Sequence, residues 1–443
     1  MKKFILVFLV LAAVPSTGWA MAKMPPKPAE TPAQAEPLPI TLEECYQLAL
    51  EQSEALAMKN VDVEKTWADF LAASGELIGD GSFVMTDFFI EPQGGTPAGD
   101  SGATANAFRT ERREKKFVIS QPLFQGFREV AAIAGAGHLR GQREQEAVRA
   151  RQVLFLDVVT AYYAVLRTER DLEINAEILK LYQERLRDLG EREEIGKSRA
   201  SEAINARSRM RIIQADGAEL RGTAAFQRRL LEFLTGIPLE NRRLTDDSEA
   251  LPLPEDLDSY LINTDERSDV RAAYHASKIG FQNVVSAQSE LWPDISLNAN
   301  MYEQREGFQS GIDWDVLFTI DVPIWTGGTN LGAIKAAVSD WKKSKLSFSE
   351  SRRKAELEIK QNFELWRAAL DRYEALKESV LASEENYKFQ KEDYQNSLVN
   401  NLDVLDALQD LNNAKIESSR AYYEVKASYW RMKVATGDCC ESV

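Results

Sequence analysis

From Ile359 onward, apolar residues recur in alternating steps of three and four: Ile359, Phe363, Trp366, Leu370, Tyr373, Val380 and Tyr387, with charged residues between them. That spacing is a coiled-coil seam on a long helix. The same seam stands 201 positions earlier as Val158, Tyr162, Val165, Leu172, Leu179 and Leu186. Further on, Leu408, Leu411, Tyr422, Val425, Tyr429 and Met432 form one stripe, and Leu405, Ile416, Tyr423 and Trp430 a second beside it. A helix with two stripes can touch a neighbour on each side. Elsewhere the period falls to two, the signature of half-buried strands. Ile295, Leu297, Ala299 and Met301 alternate with Ser296, Asn298 and Asn300, and Trp314, Val316, Phe318, Ile320 and Val322 with Asp315, Thr319 and Asp321. Weaker versions run from Phe83 to Ile90 and from Phe117 to Leu123, the latter preceded by the charged run Arg109 to Lys116. Four strands are predicted, each with one apolar outward face and one polar inward face.

The repetition extends beyond the seams. Phe117-Val-Ile-Ser-Gln-Pro122-Leu-Phe-Gln-Gly126 matches Phe318-Thr-Ile-Asp-Val-Pro323-Ile-Trp-Thr-Gly327, and Thr235-Gly236 matches Thr436-Gly437, always 201 positions apart. Upstream the offset is 214, pairing Glu76-Leu77 with Glu290-Leu291 and Asp80 with Asp294. The first copy therefore carries a longer connection after Ser82, and Gly94, Gly95, Pro97, Gly99 and Gly102 mark it as a loop. A gap-free offset held this far is an internal duplication. No proline lies between Pro122 and Pro238 or after Pro323, so two long segments are free to be helical. Each reads as a helix of roughly 60 residues, a short turn and a returning helix of roughly 35, about 90 and 50 Å long at ~1.5 Å per residue. The turns are expected near Gly190 to Arg199 and Ser397 to Asn401.

The chain opens Met1-Lys2-Lys3 and an apolar run from Phe4 to Val14, with cleavage positions after Ala20 or Ala22. This is a secretory signal peptide, and no Cys stands at the cleavage site to take a lipid anchor. The organisation expected is a signal peptide over 1–22, a Pro-rich flexible leader over 23–39, a first repeat over 40–238, a linker over 239–256, a second repeat over 257–437 and a tail over 438–443. No second apolar stretch approaches the ~18 residues of a membrane helix, so any crossing falls to strands. Four strands cannot close a transmembrane barrel, which takes eight or more, so such a barrel would be shared between chains. The net charge of −15 argues against a nucleic-acid partner. Cys45, Cys439 and Cys440 show no metal spacing; Cys45 reads as a small apolar helix residue and the tail pair is unexplained.

With these pieces in place, the chain resembles the outer-membrane efflux proteins of the TolC type. The resemblance rests on the opening Ile40-Thr41-Leu42-Glu43-Glu44, the strand-exit turns Pro122 to Gly126 and Pro323 to Gly327-Gly328, and Leu402-Asp403-Val404-Leu405-Asp406-Ala407 after a turn, and it covers about residues 40 to 437. It implies a mainly α chain with a small β part. Duplicated long helical hairpins would form a trimeric periplasmic tunnel, and four strands per chain would build one 12-stranded β-barrel in the outer-membrane lipid. It further implies an exit duct for efflux or type I secretion in a Gram-negative bacterium, a homotrimer working with a periplasmic adaptor and an inner-membrane pump or ABC exporter, and no cofactor. The family's acidic entrance ring falls on Asp403 and Asp406, whose counterparts in the first copy are Glu202 and Asn205. Read without the resemblance, the same pair is a capped helix start. The family's gate falls on Tyr394 and Glu202. Its arginine corresponds to Val399 here, which leaves Arg199 as a substitute.

Gly135-Ala-Gly137-His138-Leu-Arg-Gly141, with Asp157 beyond it, imitates a dinucleotide fingerprint. The matching stretch Ala336 to Lys342 has no glycine, and Asp157 corresponds to Glu358 inside a seam, so the imitation is set aside. His138 and His275 are the only histidines, which speaks against a His-based metal centre or triad, and no nucleophile motif points to an enzyme. The competing reading is a periplasmic or surface coiled-coil scaffold without channel activity. It would share the seams and the duplication but has no use for paired alternating strands.

Overall fold

The computed structural model describes residues 38–89, 111–240, 242–246, 251–306 and 309–438. The signal peptide, nearly all of the leader, the Gly94 to Gly102 loop and the Cys439-Cys440 pair lie outside the described residues. The first repeat runs β1 (Leu38–Ile40), α1 (Leu42–Gln52), α2 (Glu54–Ile78), β2 (Asp80–Phe89), β3 (Glu111–Gln125), α3 (Arg128–Glu194) and α4 (Ala200–Thr235). After β4 (Arg242–Leu244), the second runs α5 (Leu257–Leu261), a 3-10 turn at Thr264–Glu266, α6 (Ser268–Ser289), β5 (Asp294–Arg305), β6 (Trp314–Asp321), α7 (Thr329–Gln395) and α8 (Asn401–Thr436). Both long helices are 67 residues and both returning helices 36, so the duplication is carried to the residue.

It also extends to the backbone. Positive φ occurs at Gly126 and Gly327, at Phe127 and Gly328, at Gly196 and Ser397, and at Gly236 and Gly437, each pair at the offset of 201. Each hairpin turn is a Schellman stop. Gly196 N–H donates to Glu193 and Lys197 N–H to Arg192, and in the second copy Ser397 donates to Tyr394 and Leu398 to Asp393. The left-handed residue is glycine in one tip and serine in the other.

Side-by-side packing makes a wall of helices. Nearer the strands its order is α2, α3, α6, α7, and nearer the turns α4, α3, α8, α7. This order explains a difference between the two seams. On α7, an edge helix, burial is confined to a narrow line that includes Ile359, Phe363, Trp366 and Leu370. On the inner helix α3, Val158, Tyr162 and Val165 are buried as expected, but Leu172, Leu179 and Leu186 are only half-buried. Ile174, Ile178, Tyr182 and Leu189 take the deepest places there, because neighbours on both sides widen the face that must be apolar. On α8 both stripes are used: Leu405, Leu408, Leu411, Val425 and Met432 are buried between α3 and α7.

Two segments differ from expectation. Leu38 and Pro39, placed in the leader, belong to β1, which pairs in parallel with β4 from the linker. Three-residue strands are too short to show a period, and here the tertiary structure supplies the reason: the Tyr162 hydroxyl meets the carbonyls of Ile40 and Thr245 at 3.0 and 2.5 Å. The charged run before Phe117 is strand as well, since β3 begins at Glu111.

The four long strands form one antiparallel sheet in the order β2-β3-β5-β6, leaving β2 and β6 as edges. Phe83, Phe117, Met301 and Trp314 stand opposite one another in one row, and Ile119, Ala299 and Val316 in the next. Phe83, Phe117, Ile119, Met301, Trp314 and Val316 are exposed, as is Phe318 further along. The other face is polar and internally bonded. Asn300 and Tyr302 both donate to Asp315 at 2.8 Å, Lys116 pairs with Glu114 at 2.9 Å, and Arg305 lies 3.6 Å from both Glu114 and Asp315. Pro122, which cannot donate to a ladder, sits beside a register shift.

Candidate functional site at the hairpin tips

The tip of the first hairpin lies against the start of α8. Buried Ile178, Tyr182, Leu189, Ala206, Val404, Leu405 and Leu408 form the apolar part of this junction. Polar groups then tie it together. The Tyr394 hydroxyl, at the end of α7, donates to Glu202 Oε2 at 2.8 Å, and Ser198 Oγ donates to the same oxygen at 3.0 Å. Burial first, and then the Glu202 hydrogen bond, raise Tyr394 above an ordinary phenol, so it remains a donor at physiological pH.

Arg185 was not anticipated. It is 3% exposed and lies with its guanidinium 3.9 Å from the Tyr394 ring centroid. Its Nε and Nη2 donate to Asn401 Oδ1 at 3.0 and 2.8 Å, and Asn401 Nδ2 donates to the Glu202 carbonyl at 3.3 Å. Burial lowers its pKa, but guanidinium stays charged. The buried cation is thus held by an amide and a ring. A signal for it existed: Ile178, Tyr182, Arg185 and Leu189 follow seam spacing, and an arginine inside an apolar stripe needs a partner.

The two acids assigned to the entrance are both engaged within the chain. Asp403 closes a capping box, its Oδ2 accepting from Asn400 N at 3.0 Å while Asn400 Oδ1 accepts from Asp403 N at 3.2 Å. Asp406 is exposed and accepts from Arg209 Nη2 at 2.7 Å. Their first-copy counterparts behave otherwise. Arg199, the N-cap of α4, gives no side-chain cap, so Glu202 at the position equivalent to Asp403 is free to receive Tyr394 and Ser198. Arg199 itself is exposed and makes no side-chain bond to Glu202; Arg185 and Arg192 lie over the Tyr394 ring, and Arg209 pairs with Asp406. Val399 is half-buried against the apolar cluster. At the opposite end, the strand-exit turns place Gly126 where a Cβ would meet the Ser289 carbonyl at 2.6 Å, and leave Ile324 and Trp325 exposed beside Pro323 and Gly327.

The comparisons with known proteins agree with this architecture. Residues 264–438 match the family model described as outer membrane efflux protein. Over that stretch, which is most of the second repeat, the chain is similar to this family. It is 23% identical over 350 residues to the alkaline protease secretion protein AprF of Pseudomonas aeruginosa, a match covering 75% of this chain and 72% of that one. With the probable efflux pump outer membrane protein TtgC of Pseudomonas putida it shares 25% over 285 residues, 61% of this chain and 58% of TtgC. The solved outer membrane protein VceC of Vibrio cholerae superposes with a TM-score of 0.77 at 18% identity, covering 89% of this chain and 96% of VceC. An outer-membrane channel subunit, and not an enzyme, is what these matches support.

A ring of chains has a visible basis here. The wall ends in α7 on one side and in α2 and α4 on the other, and both edges expose apolar residues: Leu346, Leu357 and Leu381 against Met58, Trp67 and Phe226. Unlike edges that complete one another give a head-to-tail ring. The same operation would bring the free edge of β6 beside that of β2 in a neighbouring chain, and three chains would supply twelve strands. Among the described residues no helix is long and apolar enough to cross a membrane.

Proposed function

We propose that the hairpin tips are the regulated entrance of this exit duct, with Tyr394-Glu202 and Arg185-Asn401 as the ties that keep it narrow and Asp403 and Asp406 as its acidic lining. The observation that carries the reading is that both ties join the first turn of α8 and the end of α7 to the first hairpin, so the second hairpin cannot swing away without breaking them. Three-fold repetition gathers six carboxylates where the tunnel is entered. Arg209 offsets the charge of Asp406 while the tip is assembled. Release of that pair would leave the opened entrance more acidic than the closed one.

Purified trimers in planar bilayers test this. Tyr394→Phe combined with Glu202→Gln should raise conductance, and Asp403→Asn with Asp406→Asn should reduce cation preference and weaken block by multivalent cations. Arg209→Ala should strengthen cation preference. Unaltered selectivity in the double Asn variant would remove the two acids from the lining. The cargo we propose is whatever the partner pump delivers, in keeping with relatives named for protease secretion and for efflux.

A further inference from the structure

The chain's two histidines stand 137 positions apart, on α3 and α6, yet Nδ1 of His138 lies 3.3 Å from Nδ1 of His275. The rings are tilted by 48°, with centroids 5.6 Å apart, and both residues are half-buried. The contact is built into the helix packing. A Cβ at Gly141 would fall 2.6 Å from His275 Cε1 and 2.9 Å from both ring nitrogens. The imidazole of α6 therefore rests on bare backbone of α3, where any other residue would displace it. That accounts for one glycine of the run from Gly135 to Gly141 that imitates a dinucleotide fingerprint: it admits a second imidazole beside His138.

Two imidazole nitrogens facing each other have two options. One donates its proton to the other, or both give lone pairs to a cation. The 3.3 Å separation is longer than the ~2.9–3.0 Å of a common N–H hydrogen bond. It is the spacing expected of two nitrogens on one tetrahedral ion, since bonds of ~2.0–2.1 Å place them about 3.3–3.4 Å apart. We propose that His138 and His275 form a site for a borderline divalent transition-metal ion of the Zn2+ and Cu2+ class, with water completing the coordination.

The surroundings suit that ion. Metal ligation requires a neutral imidazole; burial, His138 and Arg271 lower the pKa of His275, while Glu144 on α3 opposes them. Arg271 is itself held by Glu266 at 2.9 Å, and Glu144 by Arg140 at 2.8 Å. A bound ion would staple the first repeat to the second, at the end of the wall nearer the strands. Each chain of the trimer carries its own site, far along α3 from the hairpin tips, so the inference stands apart from the gating proposal.

The test uses full-length trimers carrying no histidine tag and stripped of metal, with Zn2+ or Cu2+ as the only added ligand. Isothermal titration should show one ion per chain, and bound Cu2+ should show nitrogen hyperfine structure by electron paramagnetic resonance. Affinity should fall at least about tenfold between pH 7.5 and 5.5, because protons compete with the metal for its ligands. His138→Gln and His275→Gln should each abolish the site while the trimer forms normally. Gly141→Ala should weaken binding although both ligands remain. Mg2+ should not compete. Absence of saturable binding below about 1 mM, or binding unchanged in both Gln variants, would overturn the proposal.

Discussion

Asn401→Ala is the sharpest probe of the tip. Arg185 is almost fully buried and has two hydrogen bonds to a single oxygen of Asn401, at 3.0 and 2.8 Å, besides the Tyr394 ring. Truncation removes both bonds and leaves a guanidinium facing an aromatic ring alone. A hydrogen bond to a charged group contributes ~1.5–3 kcal/mol, and because the two bonds share one acceptor the loss is about 2–3 kcal/mol per chain. If the first turn of α8 leaves its place on opening, that loss falls on the closed state only. About 2 kcal/mol shifts the closed-to-open ratio roughly 30-fold. Single-channel recording should show the high-conductance level occupied correspondingly more often, and trimers in detergent should melt earlier. The diagnostic companion is Arg185→Met with Asn401→Ala, which removes the stranded charge and should recover most of the lost stability. The reasoning fails if Asn401→Ala is silent in both assays, or if the double variant is as impaired as the single one.

Other outcomes follow from the same structure. Ser397→Gly should stabilise the trimer by about 0.5–1 kcal/mol per chain in thermal melts, because Ser397 holds φ +63° where its counterpart Gly196 holds +74°; Gly196→Ser should do the reverse. Phe318→Arg, on the exposed apolar face of β6, should cost ~2–4 kcal/mol of barrel stability and yield fewer outer-membrane trimers, whereas Asn298→Arg on the polar face should insert normally and alter conductance alone. Cys45 is buried and its thiol is pushed up to about 12 by burial, then by Glu44. The reactive thiolate is correspondingly scarce at pH 8. In a Cys439→Ser, Cys440→Ser background, native trimers should react with maleimide at least about a thousand times more slowly than the unfolded chain.

Much of the architecture could be read along the chain because helices and strands are local patterns repeated twice. Trp366 and Leu370 carry the seam of α7 whatever surrounds it, and Phe318 and Ile320 alternate with Thr319 and Asp321 without reference to a neighbour. The strand-exit turns showed themselves through Pro122, Gly126, Pro323 and Gly327. Charged residues were harder to place. The run from Glu111 to Lys116 lacks an apolar alternation and was expected before β3, yet it is strand because Asp87, Arg305 and Tyr302 on adjacent strands complement it.

At the tip, the residue types and their offset of 201 were legible, including the contrast of Asp403 and Asp406 with Glu202 and Asn205. Most of their partners were not, the pairing of Tyr394 with Glu202 coming from the resemblance alone. Asp403 is engaged by the cap of its own helix, Glu202 by Tyr394 and by nearby Ser198, and Asp406 by Arg209, which lies 197 positions away. Hydrophobic periodicity and backbone stops act over a few residues and so are written in the sequence directly. Which cation meets which acid, which helix of an equivalent pair lies inside the wall, and whether two distant histidines touch depend on side-by-side packing of helices, which brings together positions more than a hundred residues apart.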